Sequence, residues 1–206
     1  MAASAATRKP KTDGRRYGVP PSLEMRRWTV DEYHKLIATG ILGPEDKLEL
    51  IHGWLVQKMT INPPHAYAVT YLNRWLNRNL DEDEWVVRAQ NPLTTDDGEP
   101  EPDILIAPGP MSLYKARHPI PADAVVVMEV ADSSLRYDRT TKLELYAQDG
   151  VPEYWIVNLV DGIVEVYTQP RNGKYRKRTD YTASDSVPVV LAKKNVGSIP
   201  VKEFLP

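Results

Sequence analysis

The 206-residue chain carries a formal net charge of −2, with 42% apolar and 26% charged residues; this balance suits one α/β domain with an ordinary core and argues against a tight, non-specific nucleic-acid binder. It has no cysteine, which excludes disulfides, thiolate metal sites and a cysteine nucleophile. No apolar run approaches the roughly 20 residues of a membrane span, and Met1 to Tyr17 lacks the apolar stretch of a secretory signal, so a cytoplasmic protein is expected by elimination.

Residues 1–21 read as a disordered basic arm, with Arg8, Lys9, Lys11, Arg15 and Arg16 among proline, alanine and glycine. Such a composition cannot bury a core, and the arm is either a solvated tail or a contact for nucleic-acid phosphate. Residues 22–206 are expected to form a single domain. Thr29-Val30-Asp31-Glu32 is a capping box, predicting a helix that ends near Ala38 before Gly40. Leu48 to Ile51, His52-Gly53 and Trp54 to Val56 predict a β-hairpin. Asn62-Pro63-Pro64 opens a second helix, with Val69, Leu72, Trp75, Leu76 and Leu80 on its buried face. Trp85 to Leu93, Asp103 to Ala107 and Ala124 to Val130 are strand-like runs. Asp138 to Asp149 is predicted helical with Asp138 as cap, closed by Gly150 and Pro152. Glu153 to Val157 and Gly162 to Thr168 form paired strands, and Lys174 to Thr179 an edge strand. The order predicts a mixed β-sheet flanked by helices.

Three acids adjoin strongly apolar strands: Glu49 in Leu-Glu-Leu-Ile, Asp103 before Ile-Leu-Ile-Ala, and Glu129 after Val-Val-Val-Met. Buried carboxylates need a partner or a cation. Each acid could instead face solvent or pair with an arginine such as Arg88. Lys142 would lie in the first turns of its helix, where a cation opposes the macrodipole. Either it reaches back to the carboxylates, or it is a solvated surface lysine. Gln90, on the strand before Asp103, is placed to face the same site. His52 and His118 read as exposed, and the four histidines show no zinc spacing.

The segments Glu101-Pro102-Asp103, Met128-Glu129-Val130, Asp138 to Lys142, and Tyr146 through Gly150-Val151-Pro152-Glu153-Tyr154-Trp155-Ile156-Val157 resemble the Uma2 family, as do Leu48 to Val56 and Pro64-His65. The resemblance runs from about Trp28 to Val190. It implies a restriction-endonuclease-like α/β fold of the PD-(D/E)xK type and a metal-dependent endonuclease that cleaves DNA. The general motif places a lysine two residues after the second acid, where this chain has Ala131; Lys142, on the following helix, occupies the place of the lysine in Uma2-like members. By this resemblance Asp103 and Glu129 bind Mg²⁺ or Mn²⁺, and Glu49 holds a metal-bound water or a second ion. Lys142 orients the attacking water. His65, which resembles a family histidine, either contacts substrate or is a helix-start or packing residue; Gln90 is a second candidate for substrate contact from its place on the strand alone. Hard oxygen ligands suit such cations, and phosphodiester hydrolysis needs the charge they supply. A homodimer would provide two active sites for two strands. The alternative is a nuclease-fold protein that binds nucleic acid or serves as a scaffold with little or no turnover.

Overall fold

The computed structural model describes residues 25–205; the basic arm expected over residues 1–21 lies outside them. Helix α1 spans Val30–Ala38, with the Thr29–Glu32 capping box formed in both directions. Strands β1 (Leu48–Ile51) and β2 (Trp54–Gln57) pair as an antiparallel hairpin. Its turn places His52 and Gly53 at φ 48° and 76°, the left-handed region that glycine enters without strain. A side chain at position 53 would also strike Arg27 Cβ at 2.6 Å. Helix α2 spans Pro63–Asn79 and is capped by Asn62, which accepts from the His65 N–H.

The main sheet contains β3 (Trp85–Ala89), β4 (Ile104–Pro108), β5 (Val126–Ala131), β6 (Glu153–Asn158), β7 (Ile163–Arg171) and β8 (Lys174–Thr182), in that spatial order. Every adjacent pair is antiparallel except β5–β6. A parallel pair cannot be closed by a tight turn, so the chain between β5 and β6 crosses one face of the sheet as a helical segment. A further hairpin, β9 (Ser186–Leu191) with β10 (Lys194–Pro200), has no counterpart in the sequence reading. Its β-branched residues are interrupted by Pro188 and Gly197, which hide the alternation.

Period-two alternation gives each strand two buried faces. On one face Ile104, Ile106, Val126, Met128, Trp155 and Val157 pack against Leu72 and Leu76 of α2 and against the β9–β10 hairpin. On the other, Leu105, Val127, Tyr154 and Ile156 pack against the crossover helix. With both faces covered, strands β4 to β6 read as nearly continuous apolar runs. Asp103 and Glu129 have the same parity as Leu105 and Val127, so both belong to the face under the crossover.

The crossover corrects one expectation. It begins at Leu135 as α3 (Leu135–Tyr137), passes through a π-turn (Asp138–Lys142) and continues as α4 (Leu143–Gln148). Asp138 is therefore an interior helical residue and not a cap, because the helical backbone starts before it. Leu145, Tyr146 and Ala147 are buried, while Leu143, whose spacing to Tyr146 and Ala147 suggested the core, is only partly so.

Leu145→Ala is expected to cost about 2–5 kcal/mol, the range for a fully buried leucine, and Leu143→Ala distinctly less. Chemical denaturation midpoints of the two variants check the order, and a reversed order would contradict this register.

Candidate active site

At one end of the central strands, Ile104 pairs with Met128, which sets Asp103 opposite Glu129 on one face. The backbone then ties the two acids together: Val130 N–H donates to Asp103 Oδ2 at 2.9 Å, and Asp103 N–H to Glu129 Oε2 at 3.4 Å. Gln90 follows β3 at φ 53°, and this left-handed turn aims its amide at Asp103 Oδ1, 3.2 Å away. His65, in the first turn of α2, brings Nε2 to 3.1 Å from Asp103 Oδ2. Asn62 also donates to Asp132 just beyond β5, so the start of α2 is tied to the strand end carrying Glu129.

Glu49 arrives from the separate hairpin. Its Oε2 accepts from the Glu101 N–H at 3.0 Å and from Lys142 Nζ at 3.1 Å. Lys142 also donates to Glu129 Oε1 at 3.0 Å, and the Tyr146 hydroxyl donates to the same oxygen at 2.8 Å. Lys142 is 4% exposed. The surface-lysine reading therefore fails: Lys142 sits in an interior π-turn facing the sheet. Arg88 is not the counterion of any of these acids; it contacts Asn91 and His118.

Thus Asp103, Glu129, Glu49, Lys142, His65 and Gln90 converge on one cleft of about 560 Å³. Sequence reasoning passed over three neighbours. Asp138 lines the cleft and is buried, but it was read as a cap. The spacing of Tyr146 to Leu143 marks it as a packing residue, yet it carries a hydroxyl that reaches Glu129. Tyr137 lines the cleft as well. The spacing held a signal, since Asp138 and Tyr146 lie four residues to either side of Lys142 and so share a helical face with it.

The charge balance is uneven. Four buried carboxylates, Glu49, Asp103, Glu129 and Asp138, face one buried ammonium. Burial, opposed by Lys142 and reinforced by Asp103, Asp138 and Glu49, pushes Glu129 up to about 8. Burial also raises Asp138 to about 6, against a hydrogen bond from Ser134. For Lys142, burial disfavours the charge, but Glu129 and Glu49 outweigh it and raise its pKa. His65 behaves alike: burial opposes protonation and Asp103 more than offsets it.

This donor set fits a hard divalent cation. Mg²⁺ keeps several waters and commonly takes only one or two carboxylates, which Asp103 and Glu129 can provide. Among the described residues no group of three or more histidine, cysteine or acidic side chains is placed to hold a metal ion, so a cation here would rest on Asp103 and Glu129 with water as its remaining ligands.

The model of the Uma2 family, described as "Putative restriction endonuclease", matches residues 30–196, and the chain belongs to that family. A crystal structure of "a putative nuclease belonging to DUF820" from Anabaena variabilis ATCC 29413 is similar, with a TM-score of 0.66 at 16% identity over 85% of this chain and 96% of that one. At that identity the likeness bears on the fold, and it agrees with the mixed sheet flanked by helices. No curated protein matches the chain. The family and the fold together support a nuclease. Among the described residues no helix is long and apolar enough to cross a membrane.

The raised Glu129 makes a pH prediction. An acid whose pKa rises from 4.5 unfolded to about 8 folded binds more protons when folded, so its contribution to stability is lost as pH rises through that window. In chelator, the parent's denaturation midpoint should fall between those limits, and Glu129→Gln should flatten the fall. An equally steep decline in the variant would place the titration elsewhere.

Proposed function

We propose that this member of the Uma2 family is a metal-dependent endonuclease that hydrolyses DNA phosphodiester bonds with Mg²⁺ or Mn²⁺. The observation that carries the reading is the buried Lys142 ammonium, held between Glu129 and Glu49 beside Asp103 in an open cleft. A structural ion pair needs one carboxylate per ammonium. This site has more buried carboxylates than its one ammonium can pair, an excess that raises Glu129 and Asp138 and that a bound cation would offset.

Asp103 and Glu129 would hold the cation, which when bound supplies positive charge at the reacting phosphate and acidifies water. Lys142 orients the attacking water and offsets the charge that develops on the phosphoryl oxygens. Glu49 holds Lys142 in place, and through the Glu101 amide it fixes the approach to Asp103. His65 and Gln90 occupy the two oxygens of Asp103 from opposite sides and set the carboxylate plane. The Tyr146 hydroxyl shares Glu129 Oε1 with Lys142, leaving the other oxygen of Glu129 turned toward Asp103. The family points to a nucleic acid as substrate.

Asp103→Asn is the most direct test, since it keeps shape and removes one charge. It should abolish DNA cleavage in Mg²⁺ or Mn²⁺ and weaken Mn²⁺ binding by calorimetry while leaving the fold intact. Lys142→Ala should lower turnover by on the order of 10²–10³ while Mn²⁺ binding survives. It is also expected to destabilise the metal-free protein by about 3–5 kcal/mol, because it leaves buried carboxylates unpaired. A parent protein that cuts no DNA form under any divalent metal would overturn the nuclease reading in favour of a binding or scaffold role.

A further inference from the structure

The Tyr137 hydroxyl is shielded from solvent and has no hydrogen-bond partner among the described residues. A buried polar group without a partner is uncommon in native proteins and calls for an explanation. This one belongs to a residue that lines the catalytic cleft. Its charged neighbours are Glu49, Lys142, Glu129 and Asp138. Three of those are carboxylates, ready acceptors for a phenol, yet none is bonded to it. Glu129 Oε1 is taken by Lys142 and Tyr146, and Glu49 Oε2 by Lys142 and the Glu101 amide.

The backbone explains how the ring came to be there. Leu143 N–H donates to the Asp138 carbonyl, a spacing of five residues. In a regular α-helix, residues five apart point about 140° away from one another. The wider turn closes that angle and brings Tyr137, Asp138 and Lys142 to one cleft. Single π-turns of this kind concentrate at functional sites. The packing of α4 does not by itself require Tyr137, whose ring belongs to neither of the two large apolar clusters.

A phosphodiester entering this cleft presents acceptor oxygens, and at the acid cluster it meets Glu49, Asp103, Glu129 and Asp138. Lys47, Lys58 and Thr60 line the cleft as well, Lys58 in an ion pair with Glu101. Beside the acids themselves the donors are engaged: Lys142 is shared between two of them, and His65 and Gln90 face Asp103. We infer that Tyr137 is a further catalytic residue, donating its phenolic hydrogen bond to a non-bridging oxygen of the phosphate that is cut, on the side of that phosphate where Lys142 lies. The inference rests on the nuclease reading above and adds an unengaged donor beside Lys142. No bond is made or broken at Tyr137; the phenol keeps its proton throughout.

Tyr137→Phe removes one oxygen and little else. With Mn²⁺ and a duplex DNA substrate, its kcat should fall by a factor on the order of 10², while KM and Mn²⁺ affinity stay close to the parent's and the thermal midpoint holds or rises. A parent-like kcat, or a lowered thermal midpoint that accounts for the loss, would make Tyr137 a structural residue and overturn the inference. A second measurement needs no turnover. Tyrosines labelled with ¹³C at Cζ give one resonance that Tyr137→Phe deletes. That resonance should move when a phosphorothioate-linked oligonucleotide is added with Ca²⁺. If it stays fixed, the contact does not form and the inference falls, even in an active nuclease. If it moves while the parent cleaves nothing, the contact stands and the nuclease reading alone fails.

Discussion

A single buried ammonium organises this molecule. Lys142 stands between Glu129 and Glu49 at hydrogen-bond distance, and each of the three comes from a different part of the chain. Removing such charges from water costs several kcal/mol apiece, which only close and well-oriented partners repay. The geometry is therefore demanding. β5 must present Glu129 on the crossover face, the β1–β2 hairpin must close over the sheet to deliver Glu49, and the crossover must turn Lys142 inward. The hairpin forms its own two-stranded sheet; the Leu50–Glu99 bridge and the contacts of Gly53 and His52 with Asp97 tie it to the segment before β4, and the ion cluster ties it to β5 and the crossover. Misplacing any one segment leaves a buried charge alone.

A second polar cluster holds the π-turn from the far side. Arg139, three residues before Lys142, reaches Glu165 on β7 with Nε at 3.0 Å and Asp161 with Nη2 at 3.0 Å. Glu165 is fully buried and also accepts from Asn158 and the Tyr167 hydroxyl. Burial opposes its ionisation, but the Arg139 fork and these hydrogen bonds prevail and hold its pKa low. Fork-shaped, charge-assisted bonds of this type specify orientation as well as strength. The β6–β7 hairpin thus grips one side of the turn while Glu49 and Glu129 grip the other, and Lys142 has little freedom between them.

Much of this was legible in the residues. The capping box at Thr29, the Asn62 cap and the apolar, β-branched runs of β4 to β6 are local signals, and local physics decides them. The acids at Asp103 and Glu129 stood out because carboxylates beside apolar strands need a reason to be there. Lys142 drew notice for opposing a helix dipole, though that argument assumed a helix starting at Asp138. The structure places it elsewhere in the helix, and its inward aim comes from the π-turn. No pattern in Asp-Arg-Thr-Thr-Lys announces a π-turn, since it depends on what Arg139 and Lys142 bind across the fold. The β9–β10 hairpin was missed for a different reason: Pro188 and the bulge before Gly197 interrupt the period that identifies a strand. The partners of Asp103 were also hidden. His65 and Gln90 were expected to face substrate, and only the folded chain shows both meeting the same carboxylate.

A π-turn is, in effect, an α-helix carrying one surplus residue. Deleting one codon between Asp138 and Lys142 would let the backbone relax to ordinary helical bonding, which is locally the better helix. Yet every side chain upstream would swing about 100° relative to α4, and Tyr146 and Lys142 could no longer share Glu129 with Arg139 still locked on Glu165. The helical register here is protected by the sheet beneath it. Length in this stretch is a more exacting inheritance than the identity of its exposed residues, and among descendants of a common ancestor insertions and deletions should be rarer across the crossover than in the turns of the outer hairpins.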